Sequence, residues 1–148
     1  MFKQILVSTD GSELSAKAIR MAVKVAKAAG ASVTGVYVIA PFVTPDYGEG
    51  MTYGPAMSPK RHKEITERKA RKALAAVETE ARTGGVQYAT MMLTANSPWE
   101  GIINAAKSKR VDMIVMASHG RRGLARLVLG SETTKVLAHS RIPVLVCR

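Results

Sequence analysis

Two short stretches concentrate the residues that could do chemistry. Ser8-Thr9-Asp10-Gly11-Ser12 follows an apolar run near the start of the chain, Ala117-Ser118-His119-Gly120 follows another near its end, and Gly130-Ser131 comes a little further on. A glycine at a strand end lets the main chain approach an anion with no Cβ in the way. Gly130-Ser131, at the start of a helix, offers unpaired N–H groups and the positive end of the helix dipole. Between the glycines, Leu124, Leu127, Val128 and Leu129 can pin the segment to the core. Arg121, Arg122 and Arg126 stay polar and can add charge-assisted hydrogen bonds, each worth about 1.5–3 kcal/mol when partly desolvated. The pattern is that of a phosphate cradle, although Gly and Ser also cap helices that bind nothing. Asp10 suits the orientation of a ribose hydroxyl or a Mg²⁺-bound water, and equally suits a plain Asp-Gly turn.

Other chemistries lack their residues. No Gly-x-x-x-x-Gly-Lys-Ser/Thr and no Gly-x-Gly-x-x-Gly follows the first apolar run, which excludes a P-loop and a dinucleotide fingerprint. His119 has no Ser or Cys nucleophile with an orienting carboxylate identifiable around it, and no His/Cys/Asp spacing suggests zinc, so no catalytic residue is assigned. His62 and His139 fall in helical stretches and are read as solvated, and Trp99 as a packing residue. The single cysteine, Cys147, lies in the apolar run IPVLVC and reads as a buried, inert thiol.

The elements that must position these stretches follow from periodicity. The apolar runs at 4–9, 31–40, 86–94, 111–117 and 142–148 read as strands. Between the first two, Ser12 is the expected N-cap, and Leu14, Ala18, Met21, Ala22, Val25 and Ala29 form a helical stripe that Gly30 closes. A long charged helix over 60–83 carries Ile65, Ala73, Leu74, Val77 and Ala81 and ends at Gly84-Gly85. Ser97, Pro98 and Glu100 read as a capping box, and 131–140 as the last helix. Residues 41–60 hold four of the six prolines and read as a loop, either a mobile cover over a site or a plain connection. Strands alternating with helices in this way predict an α/β fold: doubly wound, a five-stranded parallel sheet of order 3-2-1-4-5 with helices on both faces. In that order strands one and four are neighbours, and their carboxyl ends flank the crevice where such sheets bind ligands.

Composition bounds the rest. A chain of 148 residues fits one domain, and at this size folding buries roughly two thirds of the unfolded surface. The start, MFKQILVSTDG, has no signal-peptide pattern and no apolar run approaches a membrane span, so a cytoplasmic protein without membrane contact is expected. The formal charge of +11 favours anionic partners without choosing one. Basic clusters such as KRHK and KARK raise nucleic acid, but such faces are usually just solvated and the few aromatic residues form no stacking array, so nucleic acid is not the expected partner.

Taken together, the residues resemble the universal stress protein family, in its ATP-binding branch. The family signature is Gly-x-x-Gly, nine residues, then Gly-Ser/Thr; here Ala117-Ser118-His119-Gly120 is followed by the nine residues Arg121 to Leu129 and then Gly130-Ser131. The opening ILVSTDGSELSAKAI and the ending SRIPVLVCR also match, so the likeness spans nearly the whole chain, as one nucleotide-binding domain over 1–148. The resemblance implies that Ser8, Thr9 and Asp10 approach the adenosine and the metal, and that the Val38 backbone meets the adenine. It implies further that Met116 and Ala117 line base and ribose, and that Gly120, Gly130, Ser131 and Thr133 hold phosphates. ATP with Mg²⁺, at Asp10 through water, is the implied ligand, and a homodimer through 142–148 the implied assembly. The chain departs from the signature at Ala117, which stands where the family has its first glycine. Three functions compete: a nucleotide-binding regulatory module with at most slow hydrolysis, an ATP-using enzyme on a related scaffold, and a nucleic-acid-binding protein. Against the second, STDGSELS stands where ATP-cleaving relatives carry Ser-Gly-Gly-x-Asp-Ser.

Overall fold

The computed structural model describes residues 1–44, 57–120 and 128–148. Five parallel strands, β1 (Gln4–Ser8), β2 (Ser32–Ile39), β3 (Tyr88–Thr94), β4 (Met113–Ala117) and β5 (Val144–Cys147), pair in the order β3-β2-β1-β4-β5. Helices α1 (Glu13–Ala29), α2 (Pro59–Gly84), α3 (Pro98–Ser108) and α4 (Ser131–His139) alternate with them. The expected fold class and strand order are therefore those of the molecule.

Strand alternation divides the core in two. Ile5, Val7, Val33 and Val115 point to one face and meet Ala18, Ala22, Val23 and Ala26 of α1 with Val77 and Ala81 of α2. Leu6, Val36, Ile114 and Met116 point to the other and meet Ile102, Ala105 and Ala106 of α3 and Val136 of α4. Both α1 and α2 close with a left-handed glycine, Gly30 at φ 65° and Gly85 at φ 68°. Ser12 caps α1 by accepting the Ser15 N–H, as expected, and Ser58 caps α2 by accepting the Arg61 N–H.

Three local expectations need correction. The buried stripe of α1 is Ser15, Ala18, Ile19, Ala22, Val23 and Ala26, and Met21 is exposed. The small Ala18, Ala22 and Ala26 are needed where the helix closes on the sheet, which turns the bulkier Met21 outward. Ser97 is the N-cap residue of α3, but its side chain makes no capping bond; the Glu132 carboxylate, from α4, accepts the Trp99 N–H at 2.8 Å instead. Finally, β4 starts at Met113 rather than 111. Asp112 is occupied in accepting the Lys3 and Gln4 N–H groups at 2.7 and 2.9 Å, which ties the start of β1 to the approach of β4. Those two backbone donors hold the Asp112 carboxyl below the usual carboxylate range.

Helix α2 lies close on β2 because Gly35 has no side chain. A Cβ there would fall 2.8 Å from Val77 Cγ2. Gly35→Ala is expected to destabilise by about 1–3 kcal/mol in urea unfolding. In the double variant with Val77→Ala the cost should fall about 1 kcal/mol short of the sum of the singles, and strict additivity would refute the contact. A second outcome concerns Asp112. A depressed folded pKa contributes stability above the unfolded value near 4 and loses it as pH falls through the folded value. Asp112→Asn should therefore lower the melting temperature at neutral pH, and the gap to wild type should close on acidification.

Candidate functional site

The sheet opens where β1 and β4 part. Their pairing ends at Val7↔Val115, after which each strand stays with its outer neighbour. Ser8 pairs with Val36 and the Thr9 N–H bonds to the Val36 carbonyl at 3.0 Å. On the other side Ala117 pairs with Cys147 and the Ser118 N–H bonds to the Cys147 carbonyl at 2.7 Å. The cleft between them is lined by Ser8, Thr9, Asp10 and Ser15, by Val36, Tyr37 and Val38, by Pro98 and Ile102, by Met116, Ala117, His119 and Gly120, and by Glu132 and Thr133. Val36, Val38, Ile102 and Met116 belong to the α3 side of the core and make one part apolar. The ends of β1 and β4 and the first turn of α4 make the rest polar.

Each polar group is held by a local bond. Gly11 takes φ 80°, which side-chain-bearing residues rarely adopt, and this turns the chain from β1 into α1. In that turn Asp10 Oδ1 accepts the Ser12 N–H at 2.9 Å, and Thr9 Oγ1 accepts the Gly11 N–H at 3.1 Å. Asp10 Oδ2 abuts Gly120 so closely that a Cβ there would lie 2.7 Å from it. Gly120 is thus needed for close approach between the two strand exits. Thr133, 2% exposed, donates from Oγ1 to the Ala117 carbonyl at 2.9 Å, and the Gly130 N–H donates to the Ser118 carbonyl at 2.7 Å. These bonds dock the first turn of α4 on the end of β4. The Gly130 amide is spent on that docking, so the N–H groups of Ser131, Glu132 and Thr133 are those left without an intrahelical partner.

Of the residues singled out in the sequence, Ser8, Thr9, Asp10, Val38, Met116, Ala117, Gly120 and Thr133 all line the cleft. Gly130 sits just behind the lining, where a Cβ would meet His119 Cα at 3.0 Å, and Ser131 follows it exposed at the start of α4. Arg121, with Arg122 and Arg126, lies outside the described residues, as does 45–56 of the expected loop. The described start of that loop is tied to α2: the His62 ring lies edge-on to Phe42 at 5.4 Å, with its Nε2 at 3.1 Å from the Ala40 carbonyl. Sequence reasoning missed Ser15, Val36, Tyr37, Pro98, Ile102, His119 and Glu132 as lining. A serine partner for His119 was also missed, Ser118 Oγ at 3.1 Å from Nδ1, but Ser118 is buried and does not line the cleft. Trp99 packs in the α3 side of the core and stacks on His139 at 4.5 Å. Cys147 is half-buried rather than buried as expected, and this partial burial raises its thiol pKa. Among the described residues no group of three or more His, Cys, Asp or Glu gathers to hold a metal, and no helix is long and apolar enough to cross a membrane.

The family model described as the universal stress protein family matches residues 1–148. The chain belongs to the universal stress protein family. Universal stress protein YxiE of Bacillus subtilis is 35% identical over 149 residues, covering the whole of both chains. Universal stress protein MJ0531 of Methanocaldococcus jannaschii is 34% identical over 151 residues, covering all of this chain and 83% of its own. Among solved structures, the universal stress protein of Archaeoglobus fulgidus in complex with dAMP superposes with a TM-score of 0.74, covering 99% of this chain and 98% of that one. At 19% identity that likeness speaks for the fold alone. In this universal stress protein domain the link from Glu132 to α3 spans 33 residues and joins the two helices beside the cleft. Glu132→Ala should cost about 0.5–2 kcal/mol, the usual worth of a helix cap. It should also shift the emission of Trp99, the sole tryptophan, whose own N–H loses its acceptor. Unchanged stability and emission would show that the carboxylate does not hold α3.

Proposed function

We propose that the cleft binds an adenine nucleotide, ATP with Mg²⁺ being the form that best suits it, and that the protein works as a regulatory binding module. The observation that carries this reading is the gradient across one cleft. Apolar Val36, Val38, Ile102 and Met116 offer a slot for a flat base, and the polar strand exits and the N-terminus of α4 lie where a sugar and phosphates would follow. A protein of the same fold, the universal stress protein of A. fulgidus, has been solved in complex with dAMP.

The residues present suit a phosphate-borne Mg²⁺. That ion keeps several waters and takes one or two carboxylates beside substrate phosphates, and Asp10 supplies one such carboxylate between the two strand exits. Bound Mg²⁺ would neutralise phosphate charge; Asp10 would orient its water, and the Ser131, Glu132 and Thr133 amides would hold phosphate oxygens. Main-chain donors of this kind bind ground and transition states about equally, so hydrolysis, where it occurs, is slow. The resemblance also implies a homodimer. Strand β5 is a sheet edge of half-buried apolar residues, and pairing with its copy would cover it.

We expect Ala117, which lines the cleft in place of the family's first glycine, to leave binding intact but weaker. Strand alternation sends its methyl to the same side as Val115, away from the slot beside Met116. Calorimetric titration with ATP and Mg²⁺ is expected to show binding by wild type and somewhat tighter binding by Ala117→Gly. Gly120→Val, which pushes on Asp10, should weaken binding by at least about tenfold, or ~1.4 kcal/mol. Silence from wild type with binding by Ala117→Gly would show that the methyl obstructs the site. Silence from both at millimolar ATP overturns the proposal.

A further inference from the structure

Exposed cations gather on α1 and α2, with Glu13 in the first turn of α1 the acidic residue beside them. On α1, Lys17, Arg20 and Lys24 are exposed on the side opposite the buried Ala18, Ala22 and Ala26. Helix α2 packs beside α1 on the same face of the sheet, and Lys69 and Lys72 line the groove between them with Ala16 and Ile19 of α1 and, at one end, Thr9 and Ser15 beside the β1 exit. The glutamates of this half of α2 turn the other way. Glu67 sits on the far flank, where it meets Lys63 at 3.9 Å and Arg71 at 3.5 Å, and Glu64 lies beside it. The seam of α1 and α2 is thereby left with exposed cations from both helices and, among the described residues, no ion pair on Lys17, Arg20, Lys24, Lys69 or Lys72.

We propose that this face binds the phosphate backbone of duplex nucleic acid without regard to sequence. Two parallel rods of 17 and 26 residues, about 25 and 39 Å long, present a flat, rigid array of cations. A duplex carries one charge per about 1.7 Å of axis, and such an array neutralises several phosphates and releases their counterions. Neither helix contains a Phe, Tyr or Trp, so the face has nothing on which to stack single-stranded bases. Its large apolar exposure on α1 is limited to Met21, too little to insert into a lipid surface. The basic clusters of the sequence raised nucleic acid and the lack of a stacking array counted against it; a duplex bound through its phosphates needs no such array. This inference does not rest on the nucleotide reading, since Lys17, Arg20 and Lys24 lie on the outer surface of α1, although the groove with Lys69 and Lys72 adjoins the cleft at Thr9 and Ser15.

The test is fluorescence anisotropy of the full chain with a labelled mixed-sequence DNA duplex, between about 50 and about 200 mM salt. Wild type should bind with a log–log salt slope near −4 to −5, as for about five phosphates neutralised. The triple variant Lys17→Gln, Arg20→Gln, Lys24→Gln should bind at least tenfold more weakly, with a slope shallower by about 2–3. A control with the same charge change on the opposite face, Lys107→Gln, Lys109→Gln, Lys135→Gln, should lose less than threefold. Thermal melts establish that both triples fold. Affinity unchanged by saturating ATP and Mg²⁺ keeps this site distinct from the cleft, whereas competition by ATP would place the duplex on the cleft and overturn the proposal. Equal losses from the two triples would reduce the effect to net charge and overturn it. Absence of duplex binding at the lowest salt would overturn it too. Binding to vesicles of mixed phosphatidylserine and phosphatidylcholine that the α1 triple abolishes, while duplex binding survives, would replace it with a membrane surface.

Discussion

Everything at the candidate site depends on two backbone hydrogen bonds that pull neighbouring strands apart. β1 and β4 pair through Val7 and Val115, and beyond that point the Thr9 N–H turns to Val36 while the Ser118 N–H turns to Cys147. Thr9 and Ser118 each satisfy their N–H on the outer neighbour, so these two donors are not lost where the strands part. Helices connect β1 to β2 on one face and β4 to β5 on the other, so neither helix crosses this gap. The cleft is thus a consequence of strand order, and the residues that line it are whatever the chain places just past the fourth and first strands.

The first turn of α4 is fixed to that gap by bonds made from three consecutive parts of one segment. The Gly130 amide reaches Ser118, the Thr133 hydroxyl reaches Ala117, and the Glu132 carboxylate reaches the N-terminus of α3. Glycine at 130 permits the approach to His119 and Ser118 that a Cβ would push back. Glu132 also has an electrostatic role. An acidic side chain beside a phosphate would oppose binding, but here its charge is directed at the positive end of the α3 dipole, where it is favourable. The same side chain that would compete with a ligand is occupied in holding the wall of the site together.

What could be read from the sequence was what is local. Alternating apolar runs and helical stripes, Ser12 before α1, and Gly30 and Gly85 at helix ends each depend on a few adjacent residues, and these yield the element order and hence the sheet. The strand-exit residues Ser8, Thr9, Asp10 and Gly120 were legible because residue type and the rule for parallel sheets agree on where ligands bind. What was not legible depends on contacts far apart in the chain. Tyr37, Pro98 and Ile102 line the cleft because α3 lies on β2, an approach allowed by Gly101, where a Cβ would fall 2.8 Å from Val38. Ser97-Pro98-x-Glu100 looked like a self-contained capping box, yet the acceptor comes from Glu132. Nothing near residue 97 signals that, because the partner is brought there only by the packing of α3 against α4.

One electrostatic feature separates this site from lysine-based phosphate loops. Among the described lining residues there is no Lys or Arg, and two carboxylates, Asp10 and Glu132, are present. From these described residues, affinity for a polyphosphate would come from oriented amides, the α4 dipole and a shared cation. The chain as a whole carries +11, but fields of exposed charges decay over a Debye length of about 8 Å at physiological salt. The surface charge then aids the approach of an anion more than it holds one in the cleft. Among the described residues, exposed cations gather on the outer faces of α1 and α2.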